Sequence, residues 1–148
     1  HGHKRNDHLR GGAGHDTLKG GNGNDLLIGA IGNDHLSGNK GKDILFGGDQ
    51  NDTMKGGKGK DVFILSKGKD VIKDFDLRQD CLGIERNVGL NIKTKQKGKN
   101  LLLKGSDNIR TILIGINRDD FLAAFDADNS SSAPGRLIIV SGTSDGSI

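Results

Sequence analysis

An aspartate returns every nine residues through the first half of the chain, as Asp7, Asp16, Asp25, Asp34, Asp43, Asp52, Asp61 and Asp70. Two residues after each stands an apolar side chain: Leu9, Leu18, Leu27, Leu36, Leu45, Met54, Phe63 and Ile72. Ahead of most runs a glycine-rich hexad, clearest in Gly11-Gly12-Ala13-Gly14-His15-Asp16, Gly20-Gly21-Asn22-Gly23-Asn24-Asp25 and Gly56-Gly57-Lys58-Gly59-Lys60-Asp61. A fixed period of this kind marks a stacked architecture, in which each unit buries its apolar residue only against its neighbours.

The nonad divides into two parts. The hexad predicts a tight turn, because glycine supplies the positive φ that a turn demands. The x-apolar-x triad predicts a very short strand, its middle residue on one face and its flanks on the other. Two nonads then close one coil, and stacked coils pair in parallel at about 4.8 Å. The fold class is all-β, a parallel roll whose narrow interior holds the apolar ladder. The polar flanks (His8, Arg10, Thr17, Lys19, His35, Ser37, Thr53 and Lys55) should face water.

Composition sharpens the problem of stability. The 148 residues include 25 Gly but only five Phe, no Trp and no Tyr. So little apolar bulk usually accompanies disorder. The glycine-rich half therefore needs something besides a hydrophobic core, and a phased Asp points to a metal. Turns of one parity share an edge, which gathers Asp7, Asp25, Asp43 and Asp61 on one side and Asp16, Asp34, Asp52 and Asp70 on the other. Neighbouring carboxylates on an edge repel by about 1 kcal/mol in water, and by several at a dielectric near 20. With the backbone entropy of glycine added, the chain should be largely unfolded without metal. Ca²⁺ takes six to eight oxygens and suits carboxylates plus carbonyls, whereas Mg²⁺ keeps its water. The histidines (His1, His3, His8, His15, His35) lack the spacing of a tetrahedral Zn²⁺ site.

These hexads and triads resemble the RTX (hemolysin-type) nonapeptide repeat of secreted bacterial toxins, proteases and lipases, and of small cyanobacterial RTX proteins with a C-terminal cap. The resemblance implies a right-handed parallel β-roll with Ca²⁺ between successive turns on each edge. It also implies a ligand set. Its carboxylates are Asp7, Asp16, Asp25, Asp34, Asp43, Asp52, Asp61 and Asp70. Its turn glycines are Gly11, Gly12, Gly14, Gly20, Gly21, Gly23, Gly29, Gly32, Gly38, Gly41, Gly47, Gly48, Gly56, Gly57, Gly59 and Gly68. Parity pairs the turns as 7/25, 25/43, 43/61, 16/34, 34/52 and 52/70, for about four to six ions. Some hexads depart from the pattern. The first, at 2–7, has one glycine; those at 29–34 and 38–43 each lose one. Gln50 stands where the third glycine should be, and Leu65-Ser66 replaces both leading glycines.

Beyond the repeat, residues 61–84 resemble the segment that closes such rolls, with Phe63, Val71-Ile72 and Phe75 as cover. Asp74 or Asp76 either completes a last metal site or is a solvated acid. Residues 88–116 read as strands at Leu90–Ile92, 100–103 and 109–114, with a Lys-rich turn over 93–99. Asp119 is the expected N-cap of a short helix containing Phe121–Phe125. The divisions are 1–73 for the roll, 74–126 for a β-rich cap and 127–148 for a linker, the strand Leu137–Val140 and a tail. That strand pairs with its own cap or adds to a second copy, giving a homo-oligomer or filament. The resemblance also makes the tail a candidate type I secretion signal. No cleavable signal peptide is visible at the start of the sequence.

The remaining features limit function. Cys81 is the single cysteine, so no internal disulfide forms, and its neighbours Leu82 and Ile84 suggest burial in a strand. No apolar run reaches the length of a membrane helix. The formal net charge is +3, with Lys40, Lys42, Lys58, Lys60, Lys67 and Lys69 among the turns. These are either plain solvated residues or an attraction to an anionic polysaccharide or cell surface. No aromatic interleaving or recognition helix supports nucleic acid. Gly142-Thr143-Ser144-Asp145-Gly146 matches a nucleophile-elbow pattern but has no following helix, and Asp126-Ala127-Asp128 opens like an EF-hand that nothing closes. The chain reads as non-enzymatic: a secreted protein that folds on Ca²⁺ outside the cell and serves as a structural, adhesive or self-assembling module. The alternative is the secretion and folding domain of a larger hydrolase or toxin.

Overall fold

The computed structural model describes residues 4–85, 92–126 and 137–140. Eight strands follow the repeat: β1 (His8–Ala13), β2 (Thr17–Asn22), β3 (Leu26–Ile31), β4 (His35–Lys40), β5 (Ile44–Asp49), β6 (Thr53–Lys58), β7 (Val62–Leu65) and β8 (Gly68–Ile72). Then come β9 (Cys81–Glu85), β10 (Lys93–Lys97), β11 (Asn100–Lys104), β12 (Ile109–Leu113), helix α1 (Arg118–Asp126) and β13 (Leu137–Val140). Odd and even nonads separate into two sheets, ordered β1-β3-β5-β7-β9-β13 and β10-β11-β12-β8-β6-β4-β2. The registers step by one coil: Leu9 pairs with Leu27, Leu27 with Leu45 and Leu45 with Phe63. The parallel β-roll is thus present, with the parity that the sequence predicts.

The strands are longer than triads. β1 to β6 run through the leading glycines of the following hexad, so only the Gly-x-Asp portion turns. The second hexad position is what bends the strand's end, with φ of 105° at Gly12 and Gly57. Ala30 (89°) and Asn39 (81°) hold the same conformation without being glycine, as does Gln50 (86°) at the fourth position. Such residues cost about 1–2 kcal/mol each, which the stacked neighbours must offset.

Between the sheets lies one core, from Leu27 and Leu36 through Met54 and Phe63 to Leu101, Leu113 and Phe121. The cap continues both sheets: β9 pairs in parallel with β7, β12 with β8, and β11 and β10 follow antiparallel. Those strands cover the open end of the ladder, where unpaired edges would otherwise stand exposed. Cys81 is buried in β9. A second apolar cluster contradicts a uniformly wet exterior. Ile28, Phe46 and Ile64, on the outer side of the first sheet, are buried, with Leu26, Ile44 and Val62 packed against them. Their nonads carry apolar residues on both sides of the interior position, so this sheet is apolar on both faces.

The cap differs from expectation in two further places. The Lys-rich stretch is strand β10, and only the tip at Gly98 and Lys99 turns. It pairs along its whole length with β11, from Lys93 with Lys104 to Lys97 with Asn100. The N-cap of α1 is Asn117, whose Oδ1 accepts the N–H of Asp119 at 2.8 Å, so Asp119 lies inside the first turn. β13 pairs in parallel with β9 of its own chain. Leu90 and Asn91, the linker 127–136 and the tail 141–148 lie outside the described residues.

Candidate metal centre

The repeat Asp residues from Asp25 to Asp61 use their two carboxylate oxygens differently. Oδ1 accepts a backbone N–H from the preceding coil: Asp7 donates to Asp25, Asp16 to Asp34, Asp25 to Asp43 and Asp34 to Asp52, all at 2.8 Å. Asp43 donates likewise to Asp61 at 2.9 Å and Asp52 to Asp70 at 3.0 Å. Oδ2 is a different matter. In Asp16, Asp25, Asp34, Asp43, Asp52 and Asp61 it is buried and has no hydrogen-bond partner. A buried ionised oxygen left in this way is strongly unfavourable unless a cation meets it.

The leading glycine of each hexad makes room for that oxygen. A Cβ on Gly11, Gly20, Gly29, Gly38, Gly47 or Gly56 would run into Oδ2 of the Asp five residues on. On Gly20 it would also meet the carbonyl oxygen of Gly38 at 2.9 Å, on Gly29 that of Gly47 at 2.5 Å, and on Gly38 that of Gly56 at 2.7 Å. An unpartnered carboxylate oxygen and a carbonyl from the next coil therefore border the same small space. Such hard oxygen donors fit Ca²⁺. Among the described residues no three His, Cys, Asp or Glu side chains converge on one point, so backbone oxygens must complete any coordination.

The predicted ligand residues divide by position. The other glycines serve the backbone rather than a side chain's space. Gly12, Gly21, Gly48 and Gly57 at the second hexad place, and Gly14, Gly23, Gly32, Gly41, Gly59 and Gly68 at the fourth, all have positive φ. Several also press on the coil before: a Cβ on Gly32, Gly41 or Gly59 would strike the carbonyl of Gly14, Gly23 or Gly41. Asp7 supplies the N–H that Asp25 Oδ1 accepts.

The eighth hexad closes the series. Leu65 fills the leading place, and the Ser66 hydroxyl donates to Asp70 Oδ2 at 3.0 Å. Asp70 Oδ2 thus has a protein partner, while Oδ2 of Asp52 on the facing turn has none. Past the repeat, Asp74 accepts Gly56 and Gly57 N–H groups with its two oxygens, both at 2.9 Å. Asp76 engages Arg78. The residue that continues the ladder is instead Asp80, whose Oδ1 accepts the Asp61 N–H at 3.0 Å, and whose Oδ2 takes that of Asp76. Sequence reasoning missed it because it stands 19 residues beyond Asp61 rather than 18. A second ladder was also missed. The residue before each Asp accepts the N–H of its counterpart one coil on, at Asn6, His15, Asn24, Asn33 and Asn51. The recurrent Asn at that place was its signal.

Electrostatics follow from this geometry. Burial, reinforced by the neighbouring carboxylate on the edge, pushes the Asp52 and Asp61 carboxyls up to about 6. Burial pushes Asp70 up to about 7 and also raises Asp43 and Asp80. Hydrogen bonds from Arg78 hold half-buried Asp76 below the usual range.

The description of one protein-family model is the RTX calcium-binding nonapeptide repeat, and it matches residues 1–36 and 37–72. No curated protein gives a significant match. Among solved structures, the extracellular lipase LipA from Serratia marcescens aligns with a TM-score of 0.68 at 28% identity, over 76% of this chain and 19% of the lipase. The chain thus spans only a fifth of that relative. Two subunits of a mannuronan C5-epimerase from Azotobacter vinelandii also match. AlgE6R2 does so at 25% identity and TM-score 0.40, over 96% of this chain and 92% of its own. AlgE6R3 does so at 26% and 0.34, over 88% and 85%.

Proposed function

Since this chain belongs, through residues 1–72, to the RTX calcium-binding nonapeptide-repeat family, we propose that it is a secreted module whose folding is driven by Ca²⁺ outside the cell. The observation that carries this reading is the set of six buried Oδ2 atoms without partners. Each sits where a carbonyl or glycine of the stack leaves space for an ion, and each makes the metal-free roll costly. Ca²⁺ binding free energy then becomes folding free energy. At low cytosolic Ca²⁺ the chain stays open and passes a secretion channel; outside, it closes. Folded, the roll is a structural or adhesive element, and it self-assembles through β13, the last strand of its sheet among the described residues.

A second reading has its own support. Similarity to 19% of an extracellular lipase, over 76% of this chain, favours a folding and secretion domain of a larger hydrolase. Light scattering on Ca²⁺ addition separates the two. Polymers that disappear when residues 134–148 are deleted support the self-assembling module; a monodisperse chain in both forms supports the domain. Circular dichroism tests what they share, since strand content should rise with Ca²⁺ and fall with EGTA.

A further inference from the structure

The two outer faces of the roll differ in chemistry. The first sheet's exterior is apolar over β3, β5 and β7, while that of the second is basic. On the second sheet, Lys93 pairs with Lys104, Lys104 with Arg110 and Arg110 with Lys69. Four cations thus stand side by side across four adjacent strands, all exposed. A second row lies four residues along, over the strands of the roll itself. There Lys19 and Lys55 flank Ser37, and Lys73 comes next, its N–H bonded to Met54 beside Lys55. Beside the first row, on the same strands, Lys95 pairs with Leu102, Leu102 with Ile112 and Ile112 with Val71, and only Val71, on β8, also stands between Lys69 and Lys73.

Among the described residues, no acidic side chain of these strands faces the row. Strands β2, β4, β6, β10, β11 and β12 contain no Asp or Glu, and Asp70 of β8 is buried toward the interior. Asp107, in the turn after β11, is exposed and makes no ion pair with the row. Like charges directly opposite one another on a sheet destabilise it. An anion laid over the row would relieve that repulsion. Ca²⁺ on the edges would add further positive charge to a chain already at +3.

We propose that this face binds a linear acidic polysaccharide, laid along the roll axis across the strands. A chain of sugar rings has apolar C–H faces for the half-buried Ile112 and Val71 and acidic groups for the Lys93–Lys104–Arg110–Lys69 row, and the second row extends the basic surface over β2, β4 and β6. Its ring repeat is comparable to the strand spacing of about 4.8 Å. Nucleic acid fits less well. The face has no aromatic platform, the chain has neither Trp nor Tyr, and no helix is offered to a groove. The face exists only in the folded roll, so the inference rests on the calcium-coupled reading.

The test measures binding of the full chain to immobilised chondroitin sulfate in Ca²⁺ buffer, with dextran, a DNA duplex and phosphatidylserine vesicles alongside. Salt-sensitive binding to chondroitin sulfate in preference to all three is expected. K93E/K104E/R110E should weaken it about tenfold or more, whereas K4E/K42E/K60E, equal in net charge, should change it less than about twofold. Equal losses in the two variants, or equal affinity for DNA or vesicles, would overturn the proposal. Circular dichroism of the same samples separates two failures. A chain that does not fold with Ca²⁺ sinks the calcium reading, and a folded chain that does not bind sinks this one.

Discussion

Replacing Asp52 by Asn should act in opposite directions with and without calcium. Oδ1 of Asp52 accepts the Asp34 N–H at 2.8 Å, a bond the amide oxygen can keep. Its Oδ2 is buried and unpartnered. Burial lifts the carboxyl from 3.8 to about 6, so at pH 7.5 the metal-free fold must hold a charge that it disfavours. Each unit corresponds to about 1.4 kcal/mol, a ceiling near 3 kcal/mol for this group. The new amide N–H₂ needs partners of its own, which lowers the expected gain to about 1–2 kcal/mol. With calcium, the same substitution removes a charged ligand and should raise the calcium midpoint of folding about tenfold. The assay is strand content by circular dichroism, titrated with a stabilising osmolyte in EGTA and with Ca²⁺ separately. Destabilisation of similar size in both series would refute the argument, because it would make Asp52 a hydrogen-bond acceptor and nothing more.

Three other outcomes follow from the same geometry. Asp52, Asp61 and Asp70 hold protons in the metal-free fold that the unfolded chain releases near pH 4, so that fold should lose stability as pH rises through 6 to 7. Calcium affinity should rise over the same window, and calcium titrations at pH 5 and pH 8 check both signs. Gly38→Ala should cost about 2 kcal/mol or more and remove one bound ion, since its Cβ meets Asp43 Oδ2 and lies 2.7 Å from the Gly56 carbonyl; calorimetric stoichiometry reads the loss. Gln50→Gly should stabilise the calcium-loaded roll by about 1 kcal/mol in denaturant melts, because residue 50 sits at φ 86°.

The roll was legible because its signals are local and repeated. Asp and Leu at fixed phase gave the coil, and parity gave the two sheets. Where the phase slips the sequence misleads, as at Asp80, one residue late, and Ser66, whose hydroxyl does for Asp70 what an ion must do elsewhere. The strand β10 was hidden for another reason. Its Lys-Thr-Lys-Gln-Lys run has no apolar residue, and it is held by pairing with β11 and by Gln96, which donates to the carbonyls of Gly98, Asn100 and Ile116. The apolar exterior of the first sheet was visible in Leu26-Leu27-Ile28 and Ile44-Leu45-Phe46, but polar flanks in the neighbouring nonads masked it. At α1, both Asn117 and Asp119 are good caps, and only the helix start distinguishes them.

The central claim is that the six orphaned carboxylate oxygens are calcium seats. Native mass spectrometry of the folded chain, taken through a calcium titration with circular dichroism in parallel, tests it most directly. Up to six tightly held ions should appear, in step with the strand signal. A chain that is fully folded at neutral pH with no calcium bound would contradict it.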